Sequence, residues 1–373
     1  MIELLSNCTG RITARVGAIL VVLLAQAFDS AIAVPILVGD ILVANHDSNV
    51  QGRAGVIKVD AATGNQTAIS IGGLFGQPNA LAIAPDGSIY VADSSAFGDG
   101  GIIRVNPADG SQTSVSSGGL LSTPEGIVVA DNGQLFVTVC CRTAGFSYVV
   151  RVDPTSGAQT LVASGGSLVS PIRLAIDAHG NLIVADPDAF SGSGGIIKVD
   201  PGTGAQTVIS SGGFLTNPVD VLVNPDGNLS VLDVGGVDGY RIVIIDSATG
   251  AQTLVVSGGI AEDPFGIALQ SSGLLLLVDK GQIAGGVDGQ IFTIDPTTGI
   301  HTLLSHDGLL VDPLWATVVR ESFVSEPYSP HLFLAALSTM IFVRRTVRRQ
   351  GFTTTMTKYQ SAEPQQRHAQ PDT

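Results

Sequence analysis

The sequence predicts an all-β fold: a six-bladed β-propeller of four-stranded antiparallel blades, its ring closed by a C-terminal strand that joins the first blade. Three observations predict it. A block opened by proline recurs at Pro78, Pro124, Pro171, Pro218, Pro264 and Pro313, 46 to 49 residues apart, which is a blade-sized period. Each block holds four short apolar runs separated by Gly- and Asp-rich turns, and those residues supply the backbone freedom that tight turns need. The acids are lopsided, 26 Asp against 6 Glu, which favours turns over helices.

The block from Pro171 shows the elements in order. Its strands read Leu174–Ile176, Leu182–Ala185, Gly195–Val199 and Gln206–Ser210, joined by His-Gly, Gly-Ser-Gly and Pro-Gly-Thr-Gly turns. The second-strand run appears six times, ending at Asn45, Asp93, Val139, Asp186, Asp233 and Asp279. The first copy, Gly39-Asp-Ile-Leu-Val-Ala-Asn45, has no first strand before it, and Pro313-Leu-Trp-Ala-Thr-Val-Val319 is a first strand with nothing after it. The last run therefore completes the first blade, which removes exposed sheet edges. The propeller spans residues 36–319 with no internal boundary.

Composition narrows the function classes. Only 13% of the 373 residues are charged, 46 are Gly and 5% are aromatic, which disfavours coiled coils and helical bundles. Apolar content of 45% excludes general disorder. Residues 34–319 carry 9 Lys+Arg against 26 Asp+Glu, a net −17. Nucleic acid and anionic lipid headgroups are poor partners for such a surface. Three cysteines, Cys8, Cys140 and Cys141, make neither a disulfide framework nor a zinc site.

The two ends read differently. Arg11 and Arg15 precede the apolar run Val16 to Leu24, and Ala25-Gln26-Ala27 and Ala31-Ile32-Ala33 follow. Positive, apolar, small is the order of a secretory signal. Residues 1–33 are expected to be that signal, cleaved after Ala27 or Ala33. At the other end, residues 320–327 form a linker with a Glu326-Pro327 pair, and residues 328–349 an apolar run closed by Arg344, Arg345, Arg348 and Arg349. A helix from Tyr328 to Val343 would reach about 24 Å, near but short of a ~30 Å hydrocarbon core. The arginines are expected on the cytoplasmic side, with the propeller outside. Residues 350–373 read as a polar disordered tail.

Residues 324–349 resemble the PEP-CTERM sorting tail of Gram-negative bacteria. Ser325-Glu326-Pro327 stands where that family has Pro-Glu-Pro, and the chain continues beyond the Arg cluster. The resemblance implies an exosortase-type sorting enzyme as partner, membrane contact through the C-terminal helix, and an association with extracellular polysaccharide. An ordinary single-span anchor gives the same topology. The repeat itself, Pro-x-Gly/Ala-Ile-Ala in the first strand and Pro-Asp-Gly-x-Leu/Ile-x-Val-Ala-Asp in the second, resembles the NHL and SMP-30/gluconolactonase-like group of six-bladed propellers, over all six units.

A propeller's first strands line its channel, so residues just after each opening proline sit at one channel mouth. These are Asn79, Glu125, Arg173, Asp220, Phe265 with Gly266, and Trp315. Around them come Asn45, His46, Asp93, Cys140, Asp186, Asp233 and Asp279, ending the second strands or just after them. We read Arg173, Phe265, Trp315, Asp93, Asp186, Asp233 and Asp279 as the binding surface for an unidentified ligand. The four aspartates have a structural reading beside it, as caps of adjoining turns. Oxygen donors suit a hard divalent cation such as Ca²⁺. The SMP-30 resemblance implies Glu125, Asn79 and Asp220 as its ligands; the alternative is a solvated polar mouth in which Arg173 neutralises Glu125 or Asp220. Asp60, Asp153, Asp200, Asp246 and Asp295 precede hairpin turns and read as structural. Cys140 and Cys141 break the repeat; they form either a vicinal disulfide beside the ligand or two reduced thiols. His46, His179, His301 and His306 belong to no nucleophile motif, and the chain has no Gly-x-Ser-x-Gly, Walker loop or dinucleotide fingerprint.

The expectation is an exported binding or scaffold module of the cell envelope or extracellular matrix. The alternative is a metal-dependent, SMP-30/gluconolactonase-like hydrolase. Its metal would polarise an ester carbonyl, and Asp220 or Glu125 would assist proton transfer.

Overall fold

Every blade begins with the same physical problem. Its second strand is mostly apolar, as in Ile89–Asp93, and its first five residues are buried. Such a strand needs neighbours on both edges and both faces. A computed structural model, describing residues 35–46, 53–140, 147–236, 239–281 and 289–321, shows how the chain supplies them. The expected signal, the apolar run at 328–349, the polar tail and Cys141 lie outside the described residues, as does the linker apart from 320–321. Among the described residues no helix is long and apolar enough to cross a membrane.

Among the described residues, twenty-four strands form six four-stranded antiparallel sheets. Blade 1 holds β1 (Ile41–Asn45), β2 (Gly55–Val59) and β3 (Gln66–Ile71). Blade 2 holds β4 (Pro78–Ile83), β5 (Ile89–Asp93), β6 (Gly101–Val105) and β7 (Gln112–Ser117). Blade 3 holds β8 (Pro124–Val129), β9 (Leu135–Val139), β10 (Tyr148–Val152) and β11 (Gln159–Ser164). Blade 4 holds β12 (Arg173–Ile176), β13 (Leu182–Phe190), β14 (Ser193–Val199) and β15 (Gln206–Ser211). Blade 5 holds β16 (Pro218–Val223), β17 (Leu229–Gly236), β18 (Gly239–Ile245) and β19 (Gln252–Ser257). Blade 6 holds β20 (Pro264–Leu269), β21 (Leu275–Asp279), β22 (Gln290–Ile294) and β23 (His301–His306). The last strand, β24 (Pro313–Val318), pairs with β1 in the register Ile41 to Val318 and Val43 to Ala316. This is the predicted closure.

Apolar side chains fill the space between blades. Six core clusters occur, one for each pair of neighbours, including blade 6 against blade 1. Polar clamps reinforce the packing at the rim. Gln112 Nε2 of blade 2 donates to Ser70 Oγ and the Gly72 carbonyl of blade 1, while its Oε1 accepts from Leu74 N at 2.6 Å. Gln159, Gln252 and Gln66 repeat the arrangement at other junctions. Gln206 keeps the Gly165 and Ser167 contacts. At the sixth junction His301 replaces the glutamine and its Nε2 meets the Tyr240 hydroxyl.

The turns explain the aspartates. Asp153 Oδ1 accepts from Thr155 N and Ser156 N at 3.0 and 2.8 Å. Ser156 N, the Gln134 amide and the Ser156 hydroxyl hold its pKa down to about 2. Asp60, Asp200, Asp246 and Asp295 are lowered in the same way. The glycine closing this turn is required by packing: Gly110 has φ +69°, and a Cβ there would strike the Ile69 carbonyl of the preceding blade. Each outer strand also carries a one-residue bulge against its neighbour, which twists an open edge away from pairing with another chain.

Replacing Gln112 by Ala removes three inter-blade hydrogen bonds and leaves their partners to find water. We expect a loss of about 1–3 kcal/mol in urea unfolding. Thr113→Ala, on the exposed side of the same strand, should change stability by no more than about 0.5 kcal/mol.

Candidate functional site

The channel mouth is shaped by a break in the ladders. In five inner strands the pairing slips one residue just inside the opening proline, so that Asn79, Glu125, Val219, Phe265 and Leu314 fall on bulges. A bulge re-aims the side chain it carries. The next residue of each strand is Ala80, Gly126, Asp220, Gly266 or Trp315, and in blade 4 the equivalent position is Arg173. Three small residues thus share a ring with three large ones.

Arg173 occupies the room the small ones leave. It is fully buried. Its Nη1 donates to the Glu125 carbonyl and its Nη2 to the Asn79 carbonyl at 2.9 Å. Its guanidinium lies 5.4 Å from the Phe265 ring centre and 5.2 Å from that of Trp315, within cation–π range. From blade 4 it therefore contacts blades 1, 2, 3 and 6, and it is coupled electrostatically to Asp220 of blade 5 as well as to Glu125. Gly126 is needed for this approach of inner strands: a Cβ there would lie 2.8 Å from both the Ile172 carbonyl and Thr138 Oγ1.

Two carboxyl groups share this one cation. Burial pushes Glu125 up to about 7, with Arg173 acting in the opposite direction. Burial pushes Asp220 up to about 8, although Ile267 N, Arg173 and Val221 N all pull it down. Asp220 Oδ1 accepts from Val221 N and Oδ2 from Ile267 N, each at 2.7 Å. Glu125 Oε2 instead accepts from Asn79 Nδ2 at 3.1 Å. Asn79 Nδ2 also donates to the Pro124 carbonyl, and Asn79 Oδ1 lies 3.0 Å from His46 Nδ1. Since the amide nitrogen is the donor on its other side, His46 Nδ1 donates to Asn79 Oδ1. A polar chain His46–Asn79–Glu125 results.

The structure thus brings Asn79, Glu125, Arg173, Phe265 and Trp315 together. Asp220 is placed across the ring with both oxygens committed to backbone N–H groups. Asp93, Asp186, Asp233 and Asp279 lie on the same face but are buried. Each accepts from the two backbone N–H groups that precede or adjoin the opening proline, as Asp93 does from Gly76 and Gln77 at 2.8 Å. They fasten the loop that delivers the mouth residue. Asn45 does the same for Val311 and Asp312. Blade 3 has Val139 at this position; the next residue, Cys140, has its sulfur 3.2 Å from Ser170 Oγ, its carbonyl accepts from Thr123 Oγ1, and it is disulfide-bonded.

Sequence reasoning missed Lys280, the residue after the fastening Asp279. Its ammonium lies 5.1 Å from the Phe265 ring centre and 2.9 Å from Asp263 Oδ2. Its position in the repeat, equivalent to His46, was the available signal. His46, Glu125, Phe265 and Lys280 are all partly exposed, so the mouth presents them to solvent around the buried Arg173.

No known family's sequence profile matches the chain, and no curated protein does. Solved structures match it in shape. A chain of the nidogen–laminin complex gives a TM-score of 0.61 at 16% identity, covering 75% of this chain and 98% of that one. TolB from Acinetobacter baumannii gives 0.57 at 13% identity, covering 76% and 67%. A protein of unknown function from Bacteroides caccae gives 0.55 at 15% identity, covering 76% and 100%. At these identities the likeness is one of fold.

The carboxyl groups predict an inverted pH profile. Glu125 and Asp220 bind protons more tightly folded than unfolded, so stability falls as pH rises between about 4 and 8. The turn aspartates act oppositely: their contribution is present above the ordinary carboxylate range and is lost as pH falls below it. Thermal unfolding of the full chain should show greatest stability near pH 4–5, by this linkage, and Glu125→Gln should flatten the decline above it. Arg173→Met should cost about 3–5 kcal/mol by leaving the buried Asp220 without its cation and the Glu125 and Asn79 carbonyls without their donor.

Proposed function

We propose that this chain is an exported propeller of the NHL and SMP-30-like group that serves as a binding or scaffold module at the cell envelope, with the channel mouth as its recognition face. The observation that carries this reading is the buried Arg173, which fills the channel beneath the partly exposed His46, Glu125 and Lys280. A filled channel suits an extended ligand or a partner's surface better than a small enclosed substrate.

The two faces support the same choice. Turns within blades on the far side repeat one chemistry, Asx-capped and glycine-closed. The connections from second to third strand, on the mouth side, differ in length and sequence from blade to blade. Variable connections on a constant scaffold are where binding residues collect. The fold likeness to a chain from a nidogen–laminin complex fits a role in assembly. The N-terminal signal pattern and the sorting-tail resemblance support export, with anchoring or release decided at the tail and extracellular polysaccharide as the associated ligand class.

Calorimetric titration of the full chain with neutral and uronic-acid polysaccharides tests this. Binding should weaken at least tenfold in Lys280→Ala and in Glu125→Gln. Unchanged binding in both variants would move recognition away from the mouth.

The contact between Asn79 and Glu125 favours a second reading, the metal-dependent hydrolase. These residues fit a hard cation in part: Asp220 has no free carboxylate oxygen, and such ions take six to eight oxygen ligands. Thermal unfolding with Ca²⁺, Mg²⁺, Mn²⁺ or Zn²⁺ separates the readings. A metal at a hundred times its Kd adds about 2.7 kcal/mol. The binding-module reading expects no Glu125-dependent gain, whereas a gain abolished by Glu125→Ala would favour the hydrolase.

A further inference from the structure

The channel has a second end, and its chemistry is the reverse of the mouth's. Side chains on a strand alternate between faces. Two residues beyond the Arg173 ring, each inner strand presents its next channel-facing position: Ala82, Val128, Ala175, Leu222, Ala268 and Thr317. The residues between, such as Leu81, Ile127 and Leu174, belong to the inter-blade cores. The lower channel is thus an aliphatic ring with one hydroxyl. It forms a cavity of about 230 Å³ open to solvent, lined by Trp315 from the Arg173 ring and by Arg320, which follows the end of β24.

The inner end is unsatisfied. Trp315 Nε1 and Arg173 Nε are both buried, and neither has a hydrogen-bond partner among the described residues. Both are donors, and the indole ring lies 5.2 Å from the guanidinium carbon. Buried donors without acceptors are costly, and of the two residues only Trp315 lines the cavity, so a ligand bringing an oxygen acceptor to this end gains from Trp315 Nε1. The charge of that ligand is also constrained. Glu125 and Asp220 already surround Arg173, and the turns on this face carry Asp86, Asp131, Asp177 and Asp226. Among the described residues Arg320 is the one cation lining the cavity and Asp86 is paired with Arg104, so acids still outnumber cations on this face and an anion is disfavoured.

We propose that the lower channel is a binding site for an uncharged aliphatic molecule, or the aliphatic end of a larger one, with an oxygen acceptor directed at Trp315 Nε1. Its size follows from the volume. An apolar cavity of roughly 150 Å³ accepts a benzene, so this one takes about six to eight carbons. The site is separate from the mouth: Arg173 stands between them.

Trp315 is the chain's single tryptophan, so its fluorescence reports the site directly. The full chain is titrated with straight-chain 2-ketones of increasing length. A saturable change in Trp315 emission is expected, with affinity rising about fourfold per methylene and levelling off beyond about eight carbons. Ala175→Leu and, separately, Thr317→Leu fill the ring while keeping the fluorophore. In whichever variant retains the wild-type unfolding temperature, affinity should fall at least tenfold. Lys280→Ala, at the mouth, should leave the response unchanged, which separates this site from the recognition face above it. No saturable change with any ketone would overturn the proposal. So would affinity that keeps climbing with chain length and survives in a folded pocket-filling variant, since that behaviour belongs to partitioning elsewhere on the chain.

Discussion

The centre of the molecule is organised by one charge that cannot be removed. A guanidinium stays protonated under all ordinary conditions, and Arg173 is held where no water surrounds it. Its stability there depends on groups from every blade: carbonyls of Asn79 and Glu125, the rings of Phe265 and Trp315, and the carboxyl of Asp220. No two neighbouring blades could satisfy it alone. Apolar cores bind each blade to the next, but only this side chain makes the ring's geometry answerable to a single point. The small residues opposite it, Ala80, Gly126 and Gly266, follow from the space it needs.

That arrangement divides the channel into two environments. Above Arg173 lie the partly exposed His46, Glu125 and Lys280; below it lies an aliphatic ring. The same alternation of strand residues produces both, because the bulges at the mouth interrupt the period and the regular ladders beneath it do not. The outer parts of each blade are indifferent to this difference. Their glutamine clamps and Asx turns repeat wherever the sequence permits, and the exceptions are local. Ala163 stands where other blades have the clamp serine, so Gln206 lacks that bond.

Much of this was legible in the residues. The proline spacing, the Asp-Gly turns and the unpaired first strand at Pro313 were enough for blade number and closure, because blades are contiguous in sequence and their hydrogen bonds are local. The mouth was legible as a list of positions but not as contacts. Listing the residues just after each proline sets Asn79 beside Arg173, although Arg173 stands one place later in its repeat; the bulges at Asn79 and Glu125 set the spacing that brings them together. The fastening role of Asp93 and its counterparts was available as turn chemistry, but their reach back sixteen and seventeen residues depends on the loop's path. The Gln-Thr pairs recurred just as regularly and went unread, because an exposed-strand glutamine looks like surface until its neighbour blade is in place.

The closure of blade 1 carries a consequence for how the molecule is made. Blades 2 to 6 each form from about forty consecutive residues, whereas blade 1 waits for β24, which meets β1 across nearly the whole chain. Contacts so distant in sequence form late and slowly. Until then β1, Ile41–Asn45, has an unpaired edge beside the apolar side chains that will be buried, an invitation to pair with another chain. The first strand to be synthesised is thus the last to be completed. Until its final strand arrives, the folding chain keeps one end of the ring as an open template.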